Sequence, residues 1–177
     1  TPEQLKRDPA NVLLARSPRP RLEAEVLRDS LLHVSGILSF KAFGPGVNPP
    51  QPVGVTEVAY GAPKWNASSG EDRHRRSIYT FAKRTAPFAM YQTFDAPSGE
   101  ACVARRDSSN TPLQALTLLN DPMFVEATQA FGKRLAERNG DVTTRIRYAF
   151  QRCLTRQATD SEVAALSRFF DTQRQRF

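Results

Sequence analysis

Two helix starts stand ten residues apart in the middle of the chain, and they restrict its fold more than any other feature. In Asn110-Thr111-Pro112-Leu113-Gln114, Asn110 or Thr111 can cap a helix with its side-chain oxygen, and Pro112 suits the first helical position. Asp121-Pro122 repeats that grammar. Between them, Leu113 to Leu119 is apolar and uncharged on every side, which predicts a buried helix and a hub for other elements. Arg105 and Arg106 precede the first start, and with Asn110 they are the parts of this word that can face a ligand.

Helical grammar continues on both sides. From Leu22 to Ser35, the residues Leu22, Val26, Leu27, Leu31, Val34 and Leu38 fall on one stripe at helical spacing, and Gly36 is a natural stop. Pro122 to about Glu137 predicts a second long helix, with Phe124, Thr128, Phe131 and Leu135 in register. Asp141 caps a third, Val142 to Leu154. The capping box Thr159-x-x-Glu162 opens a fourth, in which Val163, Leu166 and Phe170 point inward. Short connections favour antiparallel neighbours. The fold class is mainly α, a small helical bundle with at most a minor extended segment. At 177 residues, one domain is the default reading. Thr1-Pro2-Glu3 and Phe177 read as the ends of a piece taken from a longer, multidomain protein.

Other stretches are less regular. A short apolar patch within Asn11 to Arg16 is expected to tuck against the body. From about Lys41 to Gly70, glycine or proline breaks the chain every few residues, as in a long functional loop. Its Val53, Val55, Val58, Tyr60 and Trp65 suggest that it drapes over the body. Tyr60 and Trp65 are flat platforms for a sugar or base, or else anchors for the loop. Ser69-Gly70-Glu71-Asp72 resembles a cap, predicting a helix over 73–84, with a strand presenting Ser77, Tyr79 and Phe81 as the other reading. Met90 to Phe94 is extended in character, before a turn at 95–99.

Chemistry-bearing groups are few. Glu25, Asp29 and His33 are each four apart, so two carboxylates and an imidazole share one helix edge. The pattern suits acid/base or metal chemistry, with Asp95 as a further carboxylate and His74 as the second histidine. Three collinear groups cannot surround a metal, so ligands from elsewhere would be required; a divalent metal is the only cofactor the pattern suggests. The plainer reading is a polar stripe neutralised by Arg28 and other arginines. Cys102 and Cys153 exclude a cysteine-built zinc site within this sequence, and are either one disulfide or two small apolar side chains. No Gly-x-Ser-x-Gly elbow, His-Glu-x-x-His pair or Gly-rich phosphate loop occurs.

The net charge of +7 rests mainly on arginine, the bidentate partner of carboxylate, sulfate and phosphate. The cations are dispersed, and no aromatic residues interleave with them, so nucleic acid is the least favoured anionic partner. No apolar run approaches the roughly 18 to 20 residues of a membrane span.

Several multi-residue words occur together: Arg21-Leu22-Glu23-Ala24-Glu25, Arg28-Asp29, Ser35-Gly36, Arg75-Arg76-Ser77-Ile78-Tyr79-Thr80-Phe81 and Lys83-Arg84-Thr85. Phe94-Asp95-Ala96-Pro97, Cys102, Arg105-Arg106, Asn110 to Leu116 and Leu119-Asn120-Asp121-Pro122 follow in order. Together they resemble the C-terminal domain of unknown function, number fifteen fifty-three, of large planctomycete and verrucomicrobial proteins. It is also called the planctomycete-specific cytochrome-associated domain. The resemblance covers about residues 8 to 175. It implies an exported, extracytoplasmic parent with other domains as partners, and c-type haem only on a separate module. It also implies a setting of polysaccharide breakdown, without an established activity. Its words are rich in arginine, aspartate and asparagine. Arg28, Asp29, Arg76, Arg84, Asp95, Arg105 and Arg106 thus form either an internal ion-pair network or a pocket for an anionic sugar. The expectation is a binding or assembly module linked to anionic polysaccharide. A carbohydrate-active enzyme using Glu25, Asp29 and Asp95, and an arginine-rich nucleic-acid binder, are the alternatives.

Overall fold

A computed structural model describes residues 2–17, 21–55 and 64–176, so Val58 and Tyr60 lie outside the described residues. The helices are α1 (Pro2–Arg7), α2 (Ala24–Ser35), α3 (Ala89–Thr93), α4 (Pro112–Asn120), α5 (Pro122–Glu137), α6 (Val142–Leu154) and α7 (Asp160–Arg174). Two 3-10 turns, Gly70–His74 and Ser77–Tyr79, fall between α2 and α3. Among the described residues there is no strand, only isolated parallel bridges of Ser39 with Arg75 and Val47 with Thr80. The mainly helical class is therefore as the sequence predicts. No described helix is long and apolar enough to cross a membrane.

The helix ends follow their local chemistry. Thr111 caps α4 in a full capping box, accepting the Gln114 backbone N–H while Gln114 reaches back to its own N–H. Asp121 caps α5 by accepting the N–H of Met123, with Pro122 in the first turn. Thr159 and Glu162 form the predicted box at α7. Gly36 ends α2 with φ at +83°, a left-handed conformation that spares glycine the Cβ clash.

α2 packs on α5, and α4 packs on both α3 and α5, while α6 and α7 pair beside α5. The core is Ala24, Phe88, Met90, Phe94, Met123 and Phe124, with Leu27, Leu31, Trp65, Tyr91 and Ala96 against it. Of the residues expected to hold the long loop to the body, Trp65 does so, whereas Val53 and Val55 are exposed and the loop's residues 56–63 lie outside the described residues. Trp65 stacks on Phe88 with ring centroids 5.9 Å apart, and its indole N–H donates to the Pro49 carbonyl at 2.8 Å. The Ser68 N–H donates to the Asn48 carbonyl at 2.8 Å, joining the two limbs of the loop.

Several expectations are corrected. The apolar helix α4 is not buried: Leu113 is 61 % and Leu119 73 % exposed, with Leu116 and Leu118 also outside. Its one buried residue is Gln114. The Gln114 amide donates to the Thr93 carbonyl at 2.9 Å and to Ser109 Oγ at 3.0 Å, and its oxygen accepts Arg21 Nη2 at 2.6 Å. Satisfying that buried amide turns the polar face inward, and the leucines follow outward.

On α2 the buried stripe is Ala24, Arg28, Leu32 and Ser35, rotated from the apolar one, and Leu22 and Val26 are exposed. Residues 73–84 do not continue as a helix. The Val47 N–H donates to the Tyr79 carbonyl and the Phe81 N–H to the Val47 carbonyl, both at 2.8 Å, so this backbone pairs with the loop. Met90 to Phe94, expected to be extended, lies almost wholly in α3, where Met90 and Phe94 reach the core. Finally, Val12, Leu13 and Leu14 are exposed, because the chain winds around Asp8, whose carboxylate accepts the Val12 and Leu13 N–H groups at 2.9 Å. Leu166 and Phe170 also stay exposed, while α7 buries Val163.

Gly36→Ala should lower stability by about 1–2 kcal/mol for the left-handed backbone alone. A Cβ there would lie 2.6 Å from Arg134 Nη1, so that side chain would swing aside and give up its bond to the Val34 carbonyl. Thermal unfolding measures the loss of stability. At Asp121, burial raises the carboxyl pKa, partly offset by the N–H groups of Met123 and Phe124. The folded state therefore favours the protonated form, and the native chain loses stability as pH rises through that range. Asp121→Asn keeps a capping oxygen and should be more advantageous relative to native at pH 7 than at pH 3. Asp121→Ala removes the cap and should cost about 1 kcal/mol at neutral pH.

Candidate ligand cleft beside α2

The predicted edge of α2 does line a cleft. Glu25, Asp29 and His33 face an open hollow of about 720 Å³ with Glu23, Arg76, Ser77, Tyr91 and Arg106. Val26, Leu38 and Ile78 supply its apolar walls. α2 provides one side, the Arg76–Ile78 segment another, and Arg106 closes the rim from the stretch before α4.

Each α2 carboxylate in the cleft is held. Arg106 Nη1 donates to Glu25 Oε2 at 2.6 Å and lies 3.4 Å from Glu23. Burial alone would raise the Glu25 pKa, but the hydrogen bond and charge of Arg106 outweigh it and hold the carboxyl low. Asp29 accepts the Ser77 N–H at 2.7 Å and lies 3.7 Å from both Arg76 Nε and Arg28 Nη1. Arg76 is 57 % exposed, so most of its guanidinium remains open to a ligand. Tyr91 Oη lies 3.1 Å from both the Ser77 carbonyl and Thr80 Oγ1, on the cleft floor, and burial raises its pKa. His33 is exposed and sits edge-on to Phe40.

Beneath this rim lies a layer of arginine bound to backbone. Arg28 is fully buried and donates to the Arg75 carbonyl at 2.7 Å and the Arg73 carbonyl at 3.4 Å. Burial lowers its pKa, opposed by the charges of Tyr91 and Asp29. Arg75 is buried as well, and donates to the carbonyls of Phe43, Pro45 and Lys41 at 2.5, 3.1 and 3.3 Å. Its guanidinium lies 3.8 Å above the Tyr79 ring. Arg28, expected as a ligand contact, is thus an internal support.

Other candidates lie elsewhere. Asp95 does not line this cleft: it accepts the Ser109 N–H and Oγ–H at 2.7 Å, and those bonds hold its pKa low. Arg105 shares with Asp95 a separate hollow on the far side of Arg106. Arg84 lines a third hollow near Phe81 and Pro97. Asn110 is exposed, and Thr111 takes the cap. Trp65 anchors the loop and presents no free face to the cleft. Tyr60 lies outside the described residues. His74 Nε2 lies 2.9 Å from Glu126 Oε1, tying the first 3-10 turn to α5 beside the Arg73–Glu126 ion pair at 2.8 Å.

His33 and His74 do not share a ligand set; among the described residues, no three His, Cys, Asp or Glu groups are placed to hold a metal ion. Cys102 and Cys153 are free, exposed thiols, neither bonded to one another nor buried. Sequence reasoning missed Glu23, Ser77 and Tyr91 as cleft residues. Glu23 precedes α2, two residues before Glu25, which is the one signal that would have found it.

Arg28→Ala should cost about 1–3 kcal/mol, because it leaves buried backbone carbonyls unpaired. Arg28→Lys restores the charge but not the fork, and should recover only part of that loss. Arg76→Gln, at the exposed rim, should change stability by no more than about 0.5 kcal/mol. Denaturant unfolding of the three variants ranks them.

No curated protein and no solved structure matches the chain. The family model described as "PSD1: Protein of unknown function (DUF1553)" matches residues 1–170, nearly the whole sequence. The chain belongs to that family, PSD1, of unknown function.

Proposed function

We propose that the chain is a binding and assembly module of a larger extracytoplasmic protein, taking polysaccharide along the cleft beside α2. The observation that carries this reading is the held pair of α2 carboxylates, Glu25 on Arg106 and Asp29 on Ser77, facing open solvent. Carboxylates fixed in this way accept hydrogen bonds from sugar hydroxyls. The exposed guanidinium of Arg76 donates to oxygens, and Val26, Leu38 and Ile78 suit the apolar face of a sugar ring.

The same pairing favours binding over turnover. A glycosidase needs one carboxyl group kept protonated at neutral pH, within roughly 5 to 10 Å of a second carboxylate. The Glu25 and Asp95 pKa values are both shifted down, and Asp95 is turned into the Ser109–Gln114 network. The partners in this reading are sister domains of the parent protein, including a separate haem-bearing module, and the anionic polysaccharide itself.

A glycan array combined with a reducing-end assay, with and without divalent metals, tests the reading. Binding without release of reducing ends is expected, and Arg106→Gln should weaken it about tenfold, the equivalent of about 1.4 kcal/mol. Turnover that disappears in Asp29→Ala or Asp95→Ala would replace the module with an enzyme. Preference for an oligonucleotide, with affinity falling steeply on added salt, would overturn it in favour of nucleic acid.

A further inference from the structure

The cleft continues past His33. His33 and Leu38 also line a neighbouring hollow of about 410 Å³, whose other walls are Gly36, Phe40, Arg134 and Arg152. Two guanidiniums and an imidazole face it, and no carboxylate does. That lining contrasts with the main cleft, where Arg76 and Arg106 stand beside Asp29, Glu23 and Glu25.

Arg134 has a structural role here. Its Nη1 donates to the Val34 carbonyl at 2.8 Å, covering the end of α2. Arg152 has no such role. It is exposed in the last turn of α6, and no described carboxylate or carbonyl takes its donors. The adjacent Cys153 thiol feels its charge, and partial desolvation keeps that thiol towards its neutral form. A position near a helix C-terminus suits a cation. It does not account for a guanidinium that shares a hollow with Arg134 of α5 and His33 of α2. Phe40, largely exposed and edge-on to His33 at 6.3 Å, adds an apolar surface beside the cations.

We infer that His33, Arg134 and Arg152 form an oxyanion subsite at the end of the cleft, taking the sulfate or carboxylate group of a sugar ring. The guanidinium forks supply bidentate donors to two oxygens, and the imidazole supplies a further N–H. The net charge of +7 draws polyanions towards this surface before contact. The subsite rests on the cleft being a polysaccharide site, and it names the substituent such a polymer carries.

Titration calorimetry tests it with inorganic sulfate and with oligosaccharides of a neutral glucan, a sulfated galactan and a polyuronate. Arg152→Gln should weaken a charged oligosaccharide about tenfold or more and leave the neutral one unchanged, and Arg152→Lys should return part of the loss. Whichever of the sulfated and uronate arms carries this dependence identifies the anion. If charged oligosaccharides bind no better than the neutral one and Arg152→Gln changes nothing, the subsite is overturned and the cleft reading stands. If inorganic sulfate binds with dependence on Arg152 but no oligosaccharide binds, the subsite stands and the cleft reading falls. If none of the probes binds, both fall.

Discussion

Two arginines that never reach solvent hold this fold together through peptide carbonyls. Arg28 and Arg75 donate to five backbone oxygens, spread over residues 41–45 and 73–75. A buried guanidinium is costly unless its donors are used, and irregular loops have carbonyls to spare because they lack a ladder to satisfy them. Each deficiency largely meets the other here, with Arg28 Nε the one donor of the two guanidinium groups found buried without a partner among the described residues. The start of the loop at residues 41–45 and the 3-10 turns are held without a sheet because charged donors replace the missing strand partners. Asp29, next to Arg28, then takes the Ser77 N–H and sets the cleft wall directly on this support.

The second support is polar too. Asp95, with φ at +62°, and Ser109, Gln114 and Arg21 close a network between α3 and the start of α4. Asp95, a catalytic candidate in the sequence, is thus spent on placement. Glu25 and Asp29 face the cleft, with Arg76, Arg106 and His33. The division explains how an arginine-rich chain presents a modest number of free cations: several are turned inward onto carbonyls or outward onto acids.

Features governed by neighbours in sequence were legible. The caps at Thr111, Asp121, Asp141 and Thr159, the stop at Gly36 and the shared edge of Glu25, Asp29 and His33 all depend on a few adjacent residues. What failed depended on distant partners. α4 looked buried because its leucines were counted and the amide of Gln114 was not, and an inward amide outweighs a uniform apolar face. Residues 73–84 lost their helix to Arg28 and Val47, which lie some thirty to forty-five residues away. Met90 and Phe94 alternate poorly with their neighbours and show no strand or helix period over so short a run, yet the aromatic core of Phe88, Phe94 and Phe124 winds them into α3. Arg134 and Arg152 carried no local signal, because their significance lies in facing His33 from two other helices.

The Arg28 bridge to Arg75 spans 47 residues, so the inner face of α2 is complete only when residues 73–75 are in place. Until residues 73–75 arrive, α2 carries a guanidinium on its inward face that water satisfies better than the core does. The helix therefore gains little by docking early on α5. Closing a segment of that length carries an entropic cost that grows only slowly with the number of residues, so the long loop is no great obstacle. With the carbonyls on Arg28, the inner face of α2 and the cleft wall at Ser77 share one support, so the rim of the cleft depends on the same contacts as the interior.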